Sequence, residues 1–126
     1  MTESGKMLDL TGGRDVATDF VIAEPPENPL RLEGHNMWLW DDAGLISLPR
    51  VAVDARGAMW ASERTVAVNV ALPDGRVYVL RSNDTPHAPE GEDGLPRVIG
   101  GGPLRFECVE PYQHWRMRFE GSVEAT

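Results

Sequence analysis

The chain has 126 residues, a length that suits one domain burying roughly two-thirds of its unfolded surface around a single core. Its formal net charge of −8 argues against a nucleic-acid partner, since phosphate binding rests on clustered basic residues. Lys6 is the only lysine, so arginines carry nearly all the positive charge, which favours fixed bidentate ion pairs over diffuse steering.

Residues 1–16 are polar and Gly-rich and are expected to form a flexible lead-in, with Leu8 and Leu10 free to tack onto the core. This start lacks the basic, apolar and small-residue regions of a signal peptide, and no apolar run approaches a membrane span, so a cytoplasmic protein is expected. The single β domain is placed at 17–126. Three prolines between Glu24 and Pro29 cannot continue a helix or a central strand, so this stretch is read as a rigid loop with regular structure beginning after it.

From Asn36 onward the pattern is β. Asn36 to Asp41 leads to an Asp42-Ala43-Gly44 turn, Leu45 to Asp54 to an Ala55-Arg56-Gly57 turn, and Met59 to Leu72 forms a long third strand. On that strand Trp60, Arg64, Val66, Val68 and Val70 share one face, while Ala61, Glu63, Ala67, Asn69 and Ala71 share the other. The step Leu72-Pro73-Asp74-Gly75 is the strongest turn signal, because proline presets φ for a type I turn and glycine accepts the left-handed position that follows. Asn83 to Gly94 has the composition of an exposed acidic loop. A short run at Val98-Ile99, a triple glycine and Leu104 to Glu110 come next, and after a kink at Glu110-Pro111 the final strand alternates Trp115, Met117 and Phe119 with Arg116, Arg118 and Glu120. Six to eight strands joined mainly by short turns imply an all-β antiparallel barrel or sandwich.

Chemistry is sparsely signalled. Cys108 falls in the apolar alternation Leu104, Phe106, Cys108 and is expected to be a small buried hydrophobe; a lone cysteine also rules out an internal disulfide. His35 and His114 could flank one cavity as acid and base, with Glu63 as an assisting carboxylate. No HxH or HExxH spacing, nucleophile elbow or phosphate loop is present, so neither a metal nor a cofactor is expected.

Three segments carry a resemblance: NMWLWDDAG (36–44), VALPDGRVYVLR (70–81) and GGPLRFECVEPYQHWRMRFEG (101–121). Together they resemble the lipocalin-like superfamily of hydroxyneurosporene synthase (carotenoid hydratase) and attachment protein H. The last segment matches that group's strand in which an E-P turn leads into W-R-x-R-[FY]-[DE]-G. The resemblance implies a lipocalin-like antiparallel barrel or strongly curved sheet holding a small apolar molecule of isoprenoid, steroid or polyketide type. Because family members usually carry two consecutive barrel-like domains, this chain corresponds to the first portion alone.

The leading expectation is therefore apolar-ligand binding, with Trp38, Trp40, Trp60, Trp115 and Phe119 as wall residues and Arg64 or Arg116 orienting a polar end. The enzymatic alternative is a cofactor-free hydratase or isomerase using His35 or His114; a third reading is an interaction module whose exposed sheet edge pairs with another chain. A portion that covers a sheet edge in relatives would be replaced here by self-association, so a homodimer or pairing with a second domain is expected.

Overall fold

The structure, a computed structural model, describes residues 8–126. Within them the chain is all-β and antiparallel. β1 (Leu32–Trp40), β2 (Ser47–Arg56), β3 (Arg64–Ala71), β4 (Val77–Asp84) and the short β8 (Glu124–Ala125) form one sheet in the order β1-β2-β3-β4-β8. The second sheet holds β5 (Val98–Gly101), β6 (Leu104–Glu110) and β7 (His114–Phe119) in that order. The two sheets face each other across one core and are not closed into a barrel.

The alternation of side chains decides what each sheet contributes. Val51 and Val53 of β2 and Val66 and Val68 of β3 are fully buried, and they meet Ile99, Leu104 and Phe106 from the smaller sheet together with Trp60. Each buried valine or leucine stabilises the fold by about 1.5–3 kcal/mol, so these few positions dominate the core. The sheets approach closely at Gly101, where an added Cβ would lie 2.8 Å from Cβ of Arg64 and 3.3 Å from Cγ2 of Val66. Glycine is required there by backbone-to-side-chain contact between the sheets.

Turns follow local chemistry. Gly44 and Gly75 adopt φ of 72° and 90°, as the Asp42-Ala43-Gly44 and Pro73-Asp74-Gly75 sequences require. Pro49 lies in a β2 irregularity, where pairing steps from Met37↔Val51 to Leu39↔Leu48 on one side and from Arg50↔Asn69 to Ser47↔Ala71 on the other. A proline without an N–H is tolerated at a bulge of this kind.

Several expectations are corrected. Regular structure begins before the proline-rich loop, with a 3-10 turn at Val16–Asp19, and Val21 beyond it is buried in the core. Leu8 and Leu10 remain exposed instead of tacking on. The third strand starts at Arg64 and not at Met59: Gly57–Met59 is a 3-10 turn, and Glu63 donates its N–H to the Met59 carbonyl in a further tight turn. Gly57, with φ of 37°, starts that departure from extended structure. The expected flexible lead-in falls partly on residues 1–7, outside the described residues.

Candidate functional site

Three groups of polar side chains and one apolar edge are the candidates. The first is centred on Asp19. Asp15 caps the short 3-10 turn by accepting from the Ala17 N–H at 2.9 Å, and the turn delivers Asp19 to the β6–β7 connection. One carboxylate oxygen of Asp19 accepts from the Tyr112 N–H at 2.6 Å and from Trp115 Nε1 at 2.8 Å, with Cys108 Sγ at 3.9 Å. Tyr112 has φ of 61°, a left-handed conformation unusual for a bulky residue, and its hydroxyl also meets Thr18 Oγ1 at 2.5 Å. The carboxylate thus helps pin the strained turn to the N-terminal segment, together with the Thr18–Tyr112 contact and the Val21 N–H bond to the Pro96 carbonyl.

His35 stacks on Trp115, with ring centroids 4.4 Å apart, and also approaches Phe106 at 6.2 Å. Burial pushes its pKa below the usual histidine value, opposed by the negative charge of Asp19. Cys108 completes the group, but burial and then Asp19 push its thiol up to about 11, so little thiolate forms at neutral pH. The Asp19–His35–Cys108 group is a packed structural joint.

The second group surrounds Arg64. Its side chain is buried, and Nη1 donates to the carbonyls of Trp60 and, at 3.1 Å, Glu63. Arg64 Nε and Trp60 Nε1 have no hydrogen-bond partner among the described residues. Burial lowers the Arg64 pKa and raises that of Glu33, each opposed by the other's charge, and Glu33 also accepts from the Ile22 N–H at 3.0 Å. The result anchors β1, β3 and the chain before β1 to one another.

The third group lies on the outer face of the smaller sheet, beside a groove of about 460 Å³. Arg97 spans the groove: its guanidinium holds Asp93 through Nε and Nη2 and donates to the carbonyls of Cys108 and Val109. Glu107 is shared by Arg105 at 3.1 Å and Arg116 at 3.5 Å, while Arg118 meets Glu120. These partly exposed pairs contribute about 0–1 kcal/mol each. Asp93, in what reads as a solvated acidic loop, is held in place, and its pKa is lowered first by the Arg97 hydrogen bond.

The fourth candidate is apolar. β1 is the outer strand of the larger sheet, and its Trp38 and Trp40 are 68% and 73% exposed. Next to Trp40 a groove of about 230 Å³ is lined by Ile46, Ala71, Leu72 and Pro73. Leu30 and Leu32, at the other end of the strand, are 88% and 54% exposed.

The residues expected to share one cavity are dispersed. His35 points into the core and His114 is exposed at the start of β7, so the two do not form an acid–base pair around one space. Glu63 is half-buried in the turn before β3, offering its carbonyl and not its carboxylate to Arg64. Trp60 is core, Trp115 and Phe119 pack against the core half-buried, and Arg116 is turned outward to Glu107. Trp38 and Trp40 project from the outer face, because the core-facing positions of β1 are Glu33, His35 and Met37, paired with Ala55, Val53 and Val51. No group of three or more His, Cys, Asp or Glu side chains among the described residues is placed to hold a metal ion. Nor is any helix among them long and apolar enough to cross a membrane.

Sequence reasoning missed Asp19, Glu33 and Arg97. Asp19 meets partners 93 and 96 residues away, and nothing local to VATDF signals them. Comparison with known proteins finds no matching family model, no matching curated protein and no matching solved structure.

Proposed function

We propose that this domain is a non-catalytic interaction module that docks an extended polypeptide along the free edge of β1. The observation that carries the proposal is the pair of exposed indoles, Trp38 and Trp40, on a nine-residue strand that pairs with β2 on one side and with no other strand among the described residues on its outer edge. Exposed aromatic side chains beside unsatisfied backbone donors and acceptors suit β-strand addition, in which the backbone supplies affinity and pockets supply selectivity. Edge strands usually carry lysine, arginine or proline against such pairing, and Leu32–Trp40 contains none of them.

The backbone direction gives a sharp test. Arg31 accepts from the Gly57 N–H and Asp41 donates to the Ile46 carbonyl, so odd-numbered residues turn their backbone groups toward β2. By alternation, the even-numbered residues from Leu32 to Trp40 present theirs to the free edge. Asn36→Pro therefore removes an edge donor while sparing the β1–β2 ladder. Extended peptides selected from a random library on the immobilised domain should lose at least roughly tenfold in affinity to Asn36→Pro and to Trp38→Glu. Binders indifferent to both substitutions would refute the proposal.

A second reading, binding of a small apolar molecule, is favoured by the Trp40 groove. At about 230 Å³ it falls below the roughly 300–1,000 Å³ of most small-molecule sites, and it fits one side chain of a docked chain better. The lipocalin-like resemblance, a strongly curved sheet and a cytoplasmic setting belong with this second reading.

A further inference from the structure

Resting on the reading of β1 as a docking edge, we infer that its occupant is a second copy of this chain, paired antiparallel about a twofold axis at Asn36. In this register Asn36 faces Asn36 of the partner subunit, Gly34 faces the partner's Trp38 and Leu32 faces the partner's Trp40. All three pairs join even-numbered residues, the ones whose N–H and C=O point to the free edge, so each exchanges two backbone hydrogen bonds.

Side chains agree with the same register. The partner's Trp38 comes beside Gly34, where the Asp54 carboxylate of β2 already fills the place of a side chain, so the indole packs against that carboxylate's edge and not into open space. Exposed Leu32 meets the partner's Trp40, and exposed Leu30, two residues further out, approaches the apolar groove beside that indole. At the strand ends Arg31 stands opposite the partner's Asp41, so opposite charges meet twice by symmetry. Moving the axis to Met37 would set Glu33 against the partner's Asp41, and moving it to His35 would set Arg31 against the partner's Leu39. Charge complementarity selects Asn36.

A cysteine at the axis tests this directly, since directly opposed, hydrogen-bonded residues have Cα atoms about 5.5 Å apart, within disulfide range. The native thiol is buried and held protonated, so it leaves the background low. With the full chain, light scattering should show a concentration-dependent doubling of mass, and Asn36→Cys should form a disulfide-linked dimer under mild oxidation. Leu32→Cys, far from the axis, should not. Trp38→Glu, Asn36→Pro and Arg31→Glu should each weaken the dimer roughly tenfold or more, Arg31→Glu in a salt-dependent way. A monomer at all concentrations with no Asn36→Cys cross-link would overturn the second-copy assignment, leaving the peptide selection to judge the edge on its own. A dimer indifferent to Trp38→Glu, or one cross-linked equally by Leu32→Cys, would overturn the β1 interface itself.

Discussion

Replacing Asp19 by alanine isolates the joint between the N-terminal segment and the β6–β7 turn. The substitution leaves two donors without their acceptor, the Tyr112 N–H at 2.6 Å and Trp115 Nε1 at 2.8 Å. Hydrogen bonds to a charged group contribute about 1.5–3 kcal/mol each. Asp19 is only half-buried, so water partly replaces it and the lower value applies, giving a loss of about 3 kcal/mol. Asp19→Asn keeps one oxygen acceptor but not the charge, and should lose about half as much. Urea unfolding followed by tryptophan fluorescence reads the difference. With a slope of about 1.5–2 kcal/mol/M, within the range for small proteins, Asp19→Ala should lower the midpoint by about 1.5–2 M. A shift below about 0.3 M, or equal damage from alanine and asparagine, would refute the assignment of Asp19 as a charged acceptor hub.

Stability should also depend on His35. Burial holds its folded pKa below the unfolded value of about 6.5, so below that pH the unfolded chain takes up a proton that the folded chain refuses. The His35 contribution is complete above about pH 6.5 and is lost as the pH falls, by at most about 1.4 kcal/mol per pH unit. Unfolding free energies measured from pH 7.5 down to 5 should therefore fall more steeply in the native chain than in His35→Gln; parallel curves would contradict a buried neutral imidazole. Gly101→Ala introduces a Cβ 2.8 Å from Arg64 Cβ and should cost about 1–3 kcal/mol in thermal or urea unfolding. An unchanged midpoint would mean that the two sheets separate easily at Gly101.

The sequence carried the strand inventory because its signals are local. The alternation in Leu104–Glu110 and His114–Phe119, and the Pro73-Asp74-Gly75 turn, depend on neighbouring residues alone. The pairing of Arg118 with Glu120 is local in the same way, whereas Arg116 reaches Glu107 across the β6–β7 hairpin. The start of β3 differs from the sequence reading because Met59, Trp60 and Ala61 extend the apolar stretch toward Gly57, while the 3-10 turn and the tight turn closed by Glu63 break extended structure there.

What only the tertiary structure decided is which side of each strand faces inward. In β1 the even positions hold Trp38 and Trp40 and the odd positions hold Glu33, His35 and Met37, so composition assigns the tryptophans to the core. Packing reverses that choice: Glu33 and His35 are held inside by Ile22, Arg64 and Trp115, and the indoles are left outside on a free edge. A period of two separates a strand into faces but does not rank them, and ranking needs the opposing sheet. The sequence by itself determined an antiparallel β domain and the turns at Gly44 and Gly75, but not the turn between β2 and β3. The pairing of five strands against three, the Asp19 joint and the outward tryptophans arise from contacts between residues far apart in the chain, which no local pattern encodes.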